Sequence, residues 1–158
     1  MRTISLTKRT ARLLREYLTS AQGDGYDYTD LVRLDALARQ LTELQGDYAN
    51  RLAELGREER LLRRKAIEDG TQAVADVVSR RLALIAFEIL DLHEEAARVP
   101  VELRVSEADW KLINDQLGSV RRWAANDELR PLILALVEAV KTAESDELTP
   151  TTDKRRRS

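Results

Sequence analysis

The chain has 158 residues, of which 43% are hydrophobic and only 4% aromatic, and its formal net charge is −2. This apolar fraction excludes a disordered chain, the low counts of glycine (6) and proline (3) favour helices, and the absence of cysteine excludes disulfides and thiol nucleophiles. No segment approaches the roughly 18 consecutive apolar residues of a membrane span, so we expect a cytoplasmic protein with no membrane partner.

A short strand followed by a capped helix opens the chain. Residues 3–6 alternate between polar and apolar side chains, as a half-buried strand does. Thr7 is a preferred helix N-cap, and Ala11, Leu14 and Leu18 follow it with helical spacing. The sequence therefore predicts a strand–cap–helix unit that ends near residue 20.

The loop after this helix is rich in tyrosine and aspartate. It contains Asp24, Tyr26, Asp27 and Tyr28. Tyrosine offers a large contact area at low entropic cost, so we expect these four residues to bind another protein. In the alternative interpretation, the tyrosines pack over the neighbouring helices.

A seven-residue repeat follows in the next helical segment. Its members are Leu34, Leu41, Tyr48, Leu55 and Leu62. An unbroken helix over residues 30–65 would be about 54 Å long, whereas a domain of this size is only about 40 Å across. The helix must therefore project or break, and Gly46 and Gly56 are the candidate break points.

A projecting seam needs a partner for its apolar side chains. Heptad spacing is typical of coiled coils, so we predict a homo-oligomer, most simply a dimer. The residues predicted to carry self-association are Leu41, Tyr48, Leu55 and Leu62. The alternative is that the same seam is internal core.

The most apolar helix of the chain is predicted over residues 74–92. A stop and restart precede it at residues 68–71, and Pro100 ends the helical region after it. A helix that is apolar nearly all round is buried or shared between subunits. We therefore expect it to be the central core helix.

The C-terminal third repeats the pattern of the N-terminus. A second strand is predicted at residues 101–105, Ser106 caps the next helix, and a last helix follows. We predict a mainly α fold of about five helices and two short strands, with an internal duplication of units 3–44 and 102–143. Residues 1–147 form one helical domain, and residues 148–158 form a disordered basic tail.

No residue pattern supports catalysis or a cofactor. His93 is the single histidine, and it lies among carboxylates with no partner of the kind that a metal or nucleophile site needs. Neither a Walker-type nor a dinucleotide-binding glycine motif occurs. We therefore expect no enzymatic activity, no metal and no cofactor.

Basic residues cluster on two helices. Residues 1–20 hold five basic side chains against one acidic one, and three of them share a helix face. Several converging cations are what phosphate binding requires. The candidate phosphate-binding residues are Lys8, Arg12, Arg15, Arg60, Arg63 and Arg64.

The sequence thus predicts a non-enzymatic, self-associating helical protein that acts by binding another macromolecule, in an accessory, assembly or inhibitory role. The alternative is a nucleic-acid-binding accessory or packaging protein that uses the basic helix faces and the tail. An origin in a phage or mobile element is compatible with this composition.

Overall fold

A computed structural model describes residues 1–20, 25–118 and 128–145. Within these ranges the chain is mainly helical, as predicted. The elements in chain order are β1 Arg2–Thr7, α1 Lys8–Ser20, α2 Tyr28–Gln45, α3 Asp47–Asp69, α4 Gln72–Ala96, β2 Pro100–Val105, α5 Glu107–Leu117, α6 Arg130–Lys141 and β3 Glu144–Ser145.

The sheet is antiparallel, with strand order β2-β1-β3. Strands β1 and β2 are the two that the alternation of the sequence predicts, and Ile4 lies opposite Leu103 in their register. Strand β3 was not predicted, because two residues are too short to show any alternation. Buried and exposed side chains alternate along β1, so one face of the sheet contributes to the core.

The main core lies between this face of the sheet and helices α1, α2, α5 and α6. Trp110 connects α5 to α6, because its indole Nε1 donates to the carbonyl oxygen of Val140 at 2.9 Å. The guanidinium of Arg2 lies 3.9 Å above the Trp110 ring and also pairs with Glu107 at 2.6 Å. These contacts attach β1 to α5. The fully buried large side chains of this core are Ile4, Leu13, Leu14, Leu18, Leu34, Leu41, Leu103, Ile113, Ile133 and Leu136.

Side-chain caps start the helices where the sequence predicts them. The backbone N–H of Thr10 donates to Thr7 Oγ1 at 3.1 Å, and the backbone N–H of Thr7 donates to Thr10 Oγ1 at 2.8 Å. Ser106 caps α5 by accepting from the backbone N–H of Asp109. Each cap satisfies an N–H that the first helical turn leaves without a partner.

The long helix breaks at Gly46 and continues through Gly56. Gly46 has φ of 56°, which glycine adopts without steric cost, and α3 starts at the next residue. This break gives six helices in the described part of the chain, against about five expected. Gly56 lies inside α3.

Helices α3 and α4 form an antiparallel hairpin that turns at Gly70, where φ is 66°. Arg81 pairs with Glu58 at 2.6 Å, and Arg51 pairs with Glu88 through its Nε at 2.9 Å. These ion pairs fix the register of the two helices. None of the helices in the described ranges is both long and apolar enough to cross a membrane.

The prediction that the 74–92 helix is the central core helix is wrong. Apart from Ala96 at its end, only Val78 and Ile85 of α4 are buried. The reason is that α4 packs along its length on α3 and touches α1 only slightly, so a single stripe of the helix is covered. Its large exposed side chains are Val77, Leu84, Phe87 and Leu90, with 57–66% of each accessible.

Substitution by alanine should have opposite effects on stability at Gly46 and at Gly56, the two candidate break points of the long helical segment. Gly46→Ala should lower the free energy of unfolding by about 1–3 kcal/mol, because alanine is strained at positive φ. Gly56→Ala should raise it by about 0.5–1 kcal/mol, because Gly56 is helical and a Cβ there comes no closer than 3.7 Å to Arg60. Urea denaturation of both variants provides the measurement. A Gly46→Ala variant as stable as the wild type would show that the break does not need glycine.

Candidate functional site

A cleft of about 540 Å³ lies between α1 and α3, with the end of α2 as its floor. Arg12 and Arg15 line it from α1, and Arg57 and Arg60 line it from α3. None of the described residues that line it is acidic. We call this the arginine cleft.

Helical spacing positions the four guanidinium groups. Arg12 and Arg15 are three residues apart and lie beside the buried stripe of α1, so they point away from the main core. Arg57 and Arg60 have the same spacing on α3. The break at Gly46 sends α3 in a new direction, past α1, and so brings the two pairs to one cleft.

Two polar groups in the cleft have unused hydrogen-bonding capacity. Gln45 is fully buried, and its Nε2 donates to the carbonyl oxygen of Leu41 at 3.2 Å. Its Oε1 finds no partner among the described residues, and the same holds for the buried Nε of Arg15. Both atoms are enclosed by the chain, so neither is exposed to a ligand in the cleft.

A second cavity of about 270 Å³ adjoins the arginine cleft and shares Arg12 with it. Arg9 and His93 line it, and His93 Nδ1 lies 2.7 Å from the hydroxyl oxygen of Tyr48. Burial, together with the positive charges of Arg9 and Arg12, lowers the pKa of His93 to about 4. The ring is therefore neutral near pH 7, with an Nδ1 that can accept from Tyr48.

The structure brings three of the six predicted phosphate-binding residues together. Arg12, Arg15 and Arg60 line the cleft, whereas the other three do not. Lys8 lines a different pocket beside Asp47 and Glu95, Arg63 pairs with Glu59 at 3.0 Å, and Arg64 is exposed elsewhere on α3.

Arg57 also lines the cleft, but it is not among the six residues that the sequence predicts to bind phosphate. It lies three residues before Arg60, so the helical spacing could have placed it on the same face. The distance in sequence between Arg57 and Arg12 hides the fact that they share a cleft.

The residues predicted to carry self-association are packed within the chain. Leu41 lies in the main core, while Tyr48 and Leu55 are buried in α3, which packs against α4. Leu62 is partly buried on the same helix. The seven-residue spacing of Leu41, Tyr48 and Leu55 therefore corresponds to packing inside the chain, whereas the role of Leu62 in self-association stays a prediction.

The residues predicted to bind another protein have different environments, and their role stays a prediction. Tyr26 packs against the main core, Tyr28 is 82% exposed, and Asp27 caps α2 by accepting from the backbone N–H of Asp30 at 2.8 Å. Asp24 and the tail 148–158 lie outside the described residues. Among the residues described, no group of three or more histidine, aspartate or glutamate side chains could hold a metal ion.

The lowered pKa of His93 predicts a loss of stability in acid. Between its ordinary pKa of 6.5 and about 4, the unfolded chain binds a proton that the folded chain does not, so stability falls as the pH falls through this range. His93→Asn keeps an acceptor for Tyr48 and does not titrate. Between pH 7 and 4 we expect the wild type to lose about 2 kcal/mol more than this variant, with allowance for solvent screening of a partly exposed ring. Equal losses in urea titrations at the two pH values would contradict the burial of a neutral His93.

Comparisons with protein-family models, with curated proteins and with solved structures find no significant match to this chain. Its function is therefore inferred from the geometry of the cleft.

Proposed function

We propose that the protein is a non-enzymatic, nucleic-acid-binding accessory protein that holds the phosphate backbone in the arginine cleft. The observation that carries the proposal is the convergence of Arg12, Arg15, Arg57 and Arg60 on a cleft whose described lining contains no carboxylate.

Arginine is suited to this role because its planar guanidinium donates two parallel hydrogen bonds to a phosphate. In the described residues, the only one of the four with an ion pair is Arg12, whose contact with Glu16 is long, at 3.6 Å. The guanidinium groups are thus available to an anion at little cost in lost ion pairs. The cationic walls come from two helices, so they can contact neighbouring phosphates along one strand.

The cleft supplies affinity without reading bases. No aromatic side chain occurs among the described lining residues, so base stacking, the usual means of holding unpaired bases, is missing there. Contacts to phosphate position a protein on nucleic acid and carry no sequence information. The expected binding therefore depends strongly on salt and weakly on sequence.

The net charge of −2 does not oppose this binding. Solvent-exposed charges act over a Debye length of about 8–10 Å at physiological salt, so the local arginine cluster governs the potential in the cleft. A cleft that is lined by one sign of charge also concentrates the field.

Substitution of the cleft arginines should weaken binding and reduce its salt dependence. We expect Arg15→Ala and Arg60→Ala each to lower affinity roughly 10- to 100-fold, as for the loss of a charged hydrogen bond. Each should also reduce the slope of log K against log salt by about 0.9 for duplex DNA or about 0.7 for a single strand. Fluorescence anisotropy with duplex and single-stranded oligonucleotides, across a series of salt concentrations, provides both quantities.

Lys65→Ala is the matched control, because it removes one positive charge from an exposed position of the same helix, turned away from the face that carries Arg57 and Arg60. It should leave the affinity within about twofold of the wild type, as expected for a solvent-exposed side chain. Failure of the wild type to bind any oligonucleotide at low salt would refute the proposal. A Lys65→Ala variant as weak as Arg15→Ala would refute the cleft as its site.

A further inference from the structure

The outer face of α4 has the spacing of a coiled-coil seam. Val77, Arg80, Leu84, Phe87 and Asp91 are separated by three, four, three and four residues, so they form one stripe along the helix. All five are exposed. The stripe turned toward α3 is a different one, which contains Val78 and Ile85. We call the exposed stripe the α4 face.

We propose that a second copy of this chain docks on the α4 face, with the two α4 helices antiparallel about a twofold axis. This proposal goes beyond nucleic-acid binding and does not depend on it. It also differs from the seam of Leu41, Tyr48 and Leu55, which is used inside the chain.

The order of charges along the face determines the direction of pairing. Leu84 and Phe87 form its centre. Arg80 is the next residue of the face toward the N-terminus of α4, and Asp91 is the next one toward its C-terminus. In an antiparallel pair, positions equidistant from the centre meet, so Leu84 faces Phe87 of the second copy and Arg80 faces Asp91. By the same symmetry Val77 lies opposite the exposed Glu94 at the ends of the contact. A parallel pair would place Arg80 against Arg80 and Asp91 against Asp91, and like charges in contact are unfavourable.

Both charged side chains are available for this contact. In the described part of the chain, neither Arg80 nor Asp91 forms an ion pair, and the one hydrogen bond of Arg80 is a long one to the carbonyl oxygen of Asp76, at 3.4 Å. The neighbouring Arg81 is different, because it is held by Glu58 within the hairpin. The helix thus uses one arginine internally and presents the next one to solvent.

The exposed area is of the size that a dimer needs. Val77, Leu84 and Phe87 on the face, and Leu90 at its edge, each expose 57–66% of their surface. Two copies of this set amount to roughly 1,000 Å² of apolar area, which is close to the lower bound for a specific interface. Isolated exposed apolar residues are common on protein surfaces, but four in one stretch of a single helix mark an interaction site.

Exchange of the charges at Arg80 and Asp91 tests whether a second copy binds the α4 face and whether the two helices are antiparallel. The full chain is examined by sedimentation equilibrium and light scattering, in the wild type and in the variants Arg80→Glu, Asp91→Arg and Arg80→Glu/Asp91→Arg. We expect a wild-type dimer, a dissociation constant raised roughly tenfold or more in each single variant, and a return to within a few fold of the wild type in the double variant. Circular dichroism checks that each variant is folded, which we expect because both side chains are exposed.

The control is Arg64→Glu, which reverses a charge on the other helix of the hairpin and should leave the dimer unchanged. A wild-type chain that stays monomeric at all concentrations would overturn the proposal. Single variants that dimerise like the wild type, or a double variant as weak as the single ones, would overturn the antiparallel arrangement.

Discussion

The pairing of β1 with β2 is the constraint on which the rest of the molecule depends. It joins residues that are 99 positions apart, Ile4 and Leu103, and it continues into the hydrogen bond from Lys8 N–H to the carbonyl oxygen of Val99 at 3.0 Å. The Lys8 side chain lies close to Gly46, within 3.7 Å of where a Cβ would be. The start and end of the α3–α4 hairpin are therefore held at one corner of the body, beside the first residue of α1.

This corner also creates the arginine cleft. Because α3 leaves the body at Gly46, next to Lys8, it runs alongside α1 before it extends beyond the core. Ala49, Ala53 and Gly56 form a wall of small residues on α3, and the arginines of the two helices line the same cleft. The cleft is thus a product of where the hairpin is anchored, and it needs no loop of special sequence.

The sequence predicts the helices and strands better than it predicts which of them pack against one another. Both strands, the caps at Thr7 and Ser106 and the break at Gly46 depend on local rules, which short stretches of sequence express fully. Periodicity shows which residues share a helix face but not what covers that face. For this reason the spacing of Leu41, Tyr48 and Leu55 favours an interface, although these side chains are buried within the chain. The apolar composition of α4 favours a core helix, although only a few of its residues are buried.

The sequence predicts only part of the arginine cleft, because helical spacing does not show which helices lie side by side. Arg12 and Arg15 share a face by spacing, whereas their proximity to Arg57 depends on the path of the chain after Gly46. The internal duplication stays a prediction.

The separation of β1 from β2 also has a consequence for how the chain folds. The α3–α4 hairpin is built from contacts between neighbours in sequence, so it can form soon after residue 96 is made. Strand β1 has to wait for residues 100–105, which takes roughly 5–20 s at ordinary rates of protein synthesis. During that interval Ile4 and Leu6 lack the strand that completes their side of the core. Helices α5 and α6 are made later still, so a finished hairpin would stand beside a main core that has yet to close.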